Sequence, residues 1–148
     1  MSELRVGIFP CRGNVDRLPS YATPGSAGLD LAADIESPVI LQPQTRERFP
    51  TGFAFVIPQG HVGLVCSRSG LAWKNGISVL NSPGVIDSDY RDEVYVMLVN
   101  HSHEAYTLQP RARIAQIIFQ PYTSVQWSVL GSVPTDTQRC GGFGSTGV

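Results

Sequence analysis

The chain is a succession of short apolar runs separated by turn residues. "LRVGIF", "GLDLAA", "PVIL", "GFAFVI", "HVGLVC", "ISVL", "VYVMLV" and "RIAQIIF" follow one another at close intervals, rich in Val, Ile and Phe and bounded by Gly, Pro, Asn or Asp. Strand-length runs with turn signals between them predict an all-β sandwich or barrel. No stretch sustains a helical period. The one helix expected lies in "SGLAWKNG", with Ser69 capping its start and Asn75-Gly76 ending it after a turn or two. In "VYVMLV" and "AQIIF" consecutive positions are apolar. Both faces of those strands should then be covered, and in a small domain the cover can be another subunit.

Length and composition narrow the picture. With 148 residues, 42% hydrophobic and 16% charged, the chain suits one ordered domain with a full core and is too short for two. A net charge of −1 gives no general pull toward nucleic acid or an anionic membrane, so neither is expected as a partner and any anion must be bound locally. No apolar run approaches the ~20 residues that span a bilayer, and the first residues lack the pattern of a secretory signal. A soluble, cytoplasmic protein is expected. Cys11, Cys66 and Cys140 have no metal-site spacing and are odd in number, which favours free thiols. His101 and His103 have the spacing to share a strand face, but they lie in the polar turn "NHSHEAY" without an evident third ligand, and a metal site is not expected there.

Polar residues that interrupt the apolar pattern gather in five groups. In "PGSAGLDLAA" Asp30 stands inside an apolar strand, where a carboxylate needs a partner. "SRSGLA" combines Arg68, Ser69 and the N–H groups of a helix start, and reads either as a phosphate site or as a capped helix. In "NSPGVIDSDYRDEV", Asp87 and Asp89 would share one side of a strand, with Tyr90 next. Such a pair can furnish a general base, or it can be an acidic hairpin turn in which Asp and Asn satisfy backbone groups. "RARIAQIIF" places Arg113 and Gln116 in a strand, where Arg113 can equally pair with a carboxylate. Last, "GGFGSTGV" follows Arg139 and Cys140. Its glycines let backbone N–H groups approach an anion, Phe143 offers a flat face to a base, and Arg139 a fork for phosphate. The competing reading is a terminus without a role.

In this order the groups resemble the five motifs of the trimeric dUTP pyrophosphatase (dUTPase) family, here "GSAGLDLA", "SRSGLA", "GVIDSDY", "RIAQIIF" and "GGFGSTG". The resemblance covers nearly the whole chain. It implies a jelly-roll β domain over residues 1–135 with one short helix, and a flexible Gly-rich arm over residues 136–148 that closes on a neighbouring subunit's active site. It also implies a homotrimer whose three sites each draw on all three subunits. The implied reaction is hydrolysis of dUTP to dUMP and pyrophosphate, which keeps uracil out of DNA and supplies dUMP for dTMP synthesis.

Carried over by position, the resemblance makes Asp87 the base that deprotonates water for attack on the α-phosphorus, and Tyr90 the ring that packs on deoxyribose and excludes a 2′-hydroxyl. Asn81, Gly84, Val85 and Ile86 lie on the hairpin whose backbone pairs with uracil. Arg68, Ser69 and Gly70 hold the α and β phosphates, with Gln116 helping from a neighbouring chain and Asp30 as a supporting carboxylate. In the arm, Phe143 stacks on uracil while Arg139, Gly144, Ser145 and Thr146 grip the terminal phosphates. The implied cofactor is Mg2+, held by triphosphate and water rather than by protein ligands.

Three positions depart from the family pattern. Arg91-Asp92-Glu93 stands where Tyr is usually followed by one residue and Gly-Glu, and Pro110 is followed by Arg111 instead of Gly. The segment between Arg139 and Phe143 is one residue short, worth up to ~3.5 Å of reach. A nucleotide-binding protein with weak catalysis is the main alternative, and dCTP deaminase, whose motifs are missing, the lesser one.

Overall fold

A computed structural model describes residues 3–13 and 15–136. Twelve strands and one helix follow in the order β1 (Gly7–Pro10), β2 (Ser20–Tyr21), β3 (Leu29–Ala32), β4 (Val39–Leu41), β5 (Arg46–Pro50), β6 (Phe53–Val56), β7 (His61–Cys66), α1 (Ser69–Asn75), β8 (Ile77–Val79), β9 (Gly84–Ile86), β10 (Tyr95–Asn100), β11 (Tyr106–Leu108) and β12 (Arg113–Pro121). Every ladder is antiparallel. The largest sheet runs β2-β3-β12-β7-β9, beside a three-stranded sheet β5-β10-β8 and the pairs β1-β6 and β4-β11. This is the all-β, jelly-roll-like sandwich expected.

Its interior is continuous across the sheets. Leu31, Phe49, Val65, Ile77, Val96, Leu98, Ile114 and Ile117 are among the side chains buried together, and Phe119 stands edge-on to Phe55 at a centroid distance of 5.7 Å. All eight apolar runs contain a strand. The strands that the apolar pattern passed over are short or polar on their outer side, such as "RERFP", where Phe49 alone is fully buried.

Two expectations change. The run "VYVMLV" hides an alternation: Val96 and Leu98 are buried while Tyr95 and Met97 are 40% and 38% exposed. Within one chain β10 is therefore covered on one face only. Ser69 is the first residue of α1 rather than its cap. Arg68 occupies the N-cap position with no capping side-chain bond, because its guanidinium is engaged elsewhere. At the other end Gly76, at φ 67°, closes the helix in the left-handed conformation that glycine adopts without strain.

Candidate active site

The large sheet places the polar groups at two separate locations. The first forms around the middle of β3 and the N-terminal half of β12. Asp30 receives hydrogen bonds from Arg68 Nε at 2.9 Å and Arg113 NH1 at 3.0 Å, so the carboxylate planted in an apolar strand has two cationic partners. Arg68 NH1 also donates to the Arg113 carbonyl at 3.2 Å. Both side chains of the Arg68–Asp30 pair are largely buried, at 28% and 17% exposure, where charge-assisted bonds are stronger than at an open surface.

Gln116 joins this group through the ladders, since it pairs with Asp30 of β3 on one side and Cys66 of β7 on the other. Its Nε2 donates to the Ser67 carbonyl at 3.0 Å. A methyl group at Gly28 would lie 3.0 Å from Gln116 Cδ, so glycine is what lets the amide lie flat there. Gln116 was expected to serve the phosphates from a neighbouring chain. It instead stands beside Ser67, next to Arg68 and Ser69 of its own chain, because β12 and β7 are adjacent strands. Ser67 Oγ accepts the Val79 N–H at 2.8 Å, fixing the loop from which Arg68, Ser69 and Gly70 emerge.

The second location is the end of β9. This is the edge strand of the large sheet, and its Val85 side chain is 58% exposed. Gly84 is buried, with space for a methyl closed off by Asn81 Nδ2 at 3.3 Å and Val65 Cβ at 3.4 Å. Beyond Ile86 the chain leaves the ladder. Asp87 and Asp89 do not extend a strand as expected; a turn intervenes, closed by the Tyr90 N–H donating to the Asp87 carbonyl at 3.2 Å. Both aspartates still line one open depression of about 560 Å³, together with Ile57, Gln59, Ser88, Arg91 and Tyr122. Tyr90 is partly exposed, and its hydroxyl donates to the Glu93 carbonyl at 3.0 Å. Burial, and then the carboxylate of Asp92, raise the phenol's pKa above its ordinary value.

The two locations lie toward opposite ends of β7. Gly84 pairs with Val65 near the Arg68 end, whereas Ile86 pairs with Gly63, five positions before Arg68 and roughly 17 Å of extended chain away at 3.3 Å per residue. Among the described residues no group of three or more His, Cys, Asp or Glu gathers to hold a metal; His101 Nε2 instead lies 2.9 Å from Ser78 Oγ. Arg139, Phe143, Gly144, Ser145 and Thr146, and nearly all of the expected arm, lie outside the described residues.

Comparison with known proteins identifies the family. The family model described as dUTPase matches residues 16–147, and the chain belongs to that family. A deoxyuridine 5'-triphosphate nucleotidohydrolase of Rhizobium leguminosarum bv. trifolii (strain WSM2304) is 49% identical over 133 residues, covering 88% of this chain and 85% of the relative. Among solved structures, a mutant of the Staphylococcus bacteriophage 80alpha dUTPase with dUpNHpp superimposes with a TM-score of 0.81 at 23% identity, over 97% of this chain and 99% of that one. A mutant dUTPase from phage phi11 of S. aureus, described with a coordinated structural Mg(II) ion, gives 0.76 at 21% identity, over 86% and 97%. At these identities the structures speak for the fold.

Proposed function

We propose that the protein hydrolyses dUTP to dUMP and pyrophosphate as a homotrimer, with water attacking the α-phosphorus. The observation that carries this reading is the separation along β7. Asp87 follows Ile86, whose ladder partner Gly63 is five positions before Arg68, so the base and the Arg68–Gly70 loop of a single chain are offset along β7. Sites shared between chains bring the two halves together.

In this reading the exposed edge of β9 offers the uracil ring unpaired backbone groups, the property that makes edge strands bind further partners. Asn81 stands beside Gly84 at its start. A thymine methyl would meet the backbone, and cytosine would present a donor where an acceptor is required. Asp87, exposed in its wide depression, takes a proton from water. From another chain, Arg68, Ser69, Gly70 and Gln116 hold the phosphates, while Asp30 keeps Arg68 aimed. Both oxygens of Asp30 are engaged by arginines, so Mg2+ fits on phosphate and water oxygens, where it would neutralise charge. The arm over 136–148 then closes the site, Phe143 over uracil and Arg139, Gly144, Ser145 and Thr146 on the terminal phosphates, and the loss of bulk water strengthens each charge interaction.

Trimer formation is supported by the segment after β12. Val125, Trp127 and Val129 are 67%, 91% and 96% exposed, at the every-second-position spacing that puts side chains on one face of an extended chain. Such a row needs a surface to cover it. The described residues contain no helix long and apolar enough to cross a membrane, and the free Cys11 and Cys66 suit the cytoplasm we assign to the protein.

The test is pyrophosphate release from dUTP, dTTP, dCTP and UTP, with magnesium and with chelator. Release confined to dUTP and dependent on magnesium is expected. Binding of dUTP without release would replace this reading with a nucleotide-binding protein.

A further inference from the structure

Arg12 lies outside all five motifs, in the turn after β1. Yet among the described residues it is the hub of a second ion-pair cluster beside the one around Asp30. Its NH1 donates to Glu93 Oε1 at 2.6 Å and to Asp34 Oδ2 at 2.8 Å, and its NH2 to Glu93 Oε2 at 3.3 Å. The Gly52 N–H donates to the same Glu93 Oε1 at 2.8 Å. Two carboxylates thus converge on one guanidinium, which the pair holds protonated far above its ordinary range. Glu93, at 14% side-chain exposure, is the better buried of the two. Gly52, at φ 81°, permits the approach, since a methyl there would press on the Asp34 carboxyl group.

Glu93 is also the acceptor for Tyr90. Its carbonyl takes the Tyr90 hydroxyl, and the next residue is pinned on both sides: the Val94 carbonyl accepts Thr51 Oγ1 at 2.7 Å and the Val94 N–H donates to the Phe53 carbonyl at 2.8 Å. The ring that follows Asp87 is therefore positioned by a residue whose carboxylate depends on Arg12.

We infer that Arg12, through Glu93, is a positioning residue for Tyr90 and so sets how strictly the site excludes a 2′-hydroxyl. The inference rests on the dUTP-hydrolase reading, in which Tyr90 packs on the deoxyribose. Without Arg12, the Asp34 and Glu93 carboxylates face each other uncompensated and repel. Glu93 then loses its Arg12 anchor and its grip on the Gly52 N–H, the peptide that carries its carbonyl is held by the Val94 N–H bond to Phe53 alone, and the Tyr90 ring gains room. Small displacements of a packing ring matter because rejection of one extra hydroxyl depends on close contact.

The experiment is steady-state hydrolysis of dUTP and of UTP by the wild type, Arg12→Ala, Arg12→Lys and Tyr90→Phe, with thermal unfolding of each. The ratio of kcat/KM for dUTP over UTP is expected to fall about tenfold in Arg12→Ala and in Tyr90→Phe, through improved use of UTP. Arg12→Lys, which restores a cation between the carboxylates, should recover most of the ratio. A purely structural Arg12 would lower melting temperature and slow both nucleotides equally; an unchanged ratio in Arg12→Ala overturns the inference and leaves the hydrolase reading intact. Should Arg12→Ala fail to fold, an unchanged ratio in Tyr90→Phe overturns it in the same way. A wild type that releases no pyrophosphate from dUTP overturns the hydrolase reading and the inference with it.

Discussion

The cluster around Asp30 and the turn around Asp87 each centre on an aspartate, in opposite settings. Asp30 sits in a sheet interior strand with two arginines on its two oxygens, and Gln116 is locked beside it by a backbone carbonyl and a glycine gap. Asp87 has left the ladder and stands exposed in an open depression beside a second aspartate. A phosphate-holding group benefits from being fixed in advance, since its geometry is part of the binding. A base that must meet water and substrate benefits from access, and in the proposed trimer its partner groups come from another chain. The contrast predicts that substitutions at the first location damage folding and function together, whereas those at the second damage function alone.

The largest separation should come from Asp87→Asn. Loss of a general base typically costs 10² to 10⁴ in rate, so dUTP turnover should fall about a thousandfold. Stability should change by less than about 0.5 kcal/mol, as for an exposed site, when measured by denaturant unfolding. A large loss of stability would erase the contrast. Val129→Asp comes next: a charge in the exposed apolar row should shift the proposed trimer to monomer in light scattering and lower turnover about a hundredfold, the scale of misplaced catalytic groups, because in that trimer the two halves of each site would part. Asp30→Asn should affect both properties. Removing the charge leaves Arg68 and Arg113 adjacent without their counterion, at a cost of about 2 kcal/mol in unfolding and about tenfold in dUTP affinity.

The comparison also explains what could be read from the sequence. The fold class was legible because each apolar run between turn residues holds a strand. Asp30 was legible too, since a carboxylate in an apolar strand requires a partner, and the partners proved to be Arg68 and Arg113 of two other motifs. What the pattern missed depends on through-space neighbours. An unbroken run such as "VYVMLV" gives no hint that Tyr95 and Met97 face outward, because alternation shows only when the outer residues are polar. Asn100, fully buried, looked like a turn residue after β10. Its side chain instead bonds the Leu41 and Glu104 carbonyls and accepts from Ser102, tying three segments together. Arg12 and Glu93 lie 81 positions apart, and no spacing rule connects them.

The smallest predicted effect has the opposite sign. Arg111 holds φ 66°, and the Ala112 N–H donates to the Gln109 carbonyl at 3.1 Å, so Gln109 to Ala112 form a tight turn with Pro110 and Arg111 as its central residues. A turn with proline first and a left-handed residue second favours glycine at the second position. An L-residue there costs about 1–2 kcal/mol, and glycine returns part of that gain through greater freedom in the unfolded chain. Arg111→Gly should therefore raise stability by about 0.5–1 kcal/mol. Arg111→Val, whose branched side chain tolerates this conformation poorly, should lower it by more than about 1 kcal/mol. The Arg111 N–H donates to the Ala33 carbonyl at 3.0 Å, a backbone bond that all three residues can keep, so the two variants differ only in what Cβ does to the turn. Turnover of dUTP should be unchanged in Arg111→Gly. If it fell while stability rose, the arginine side chain would belong with the Asp30 cluster, close to Arg113, and the boundary between the two regions would have to be redrawn to include the turn that leads into β12.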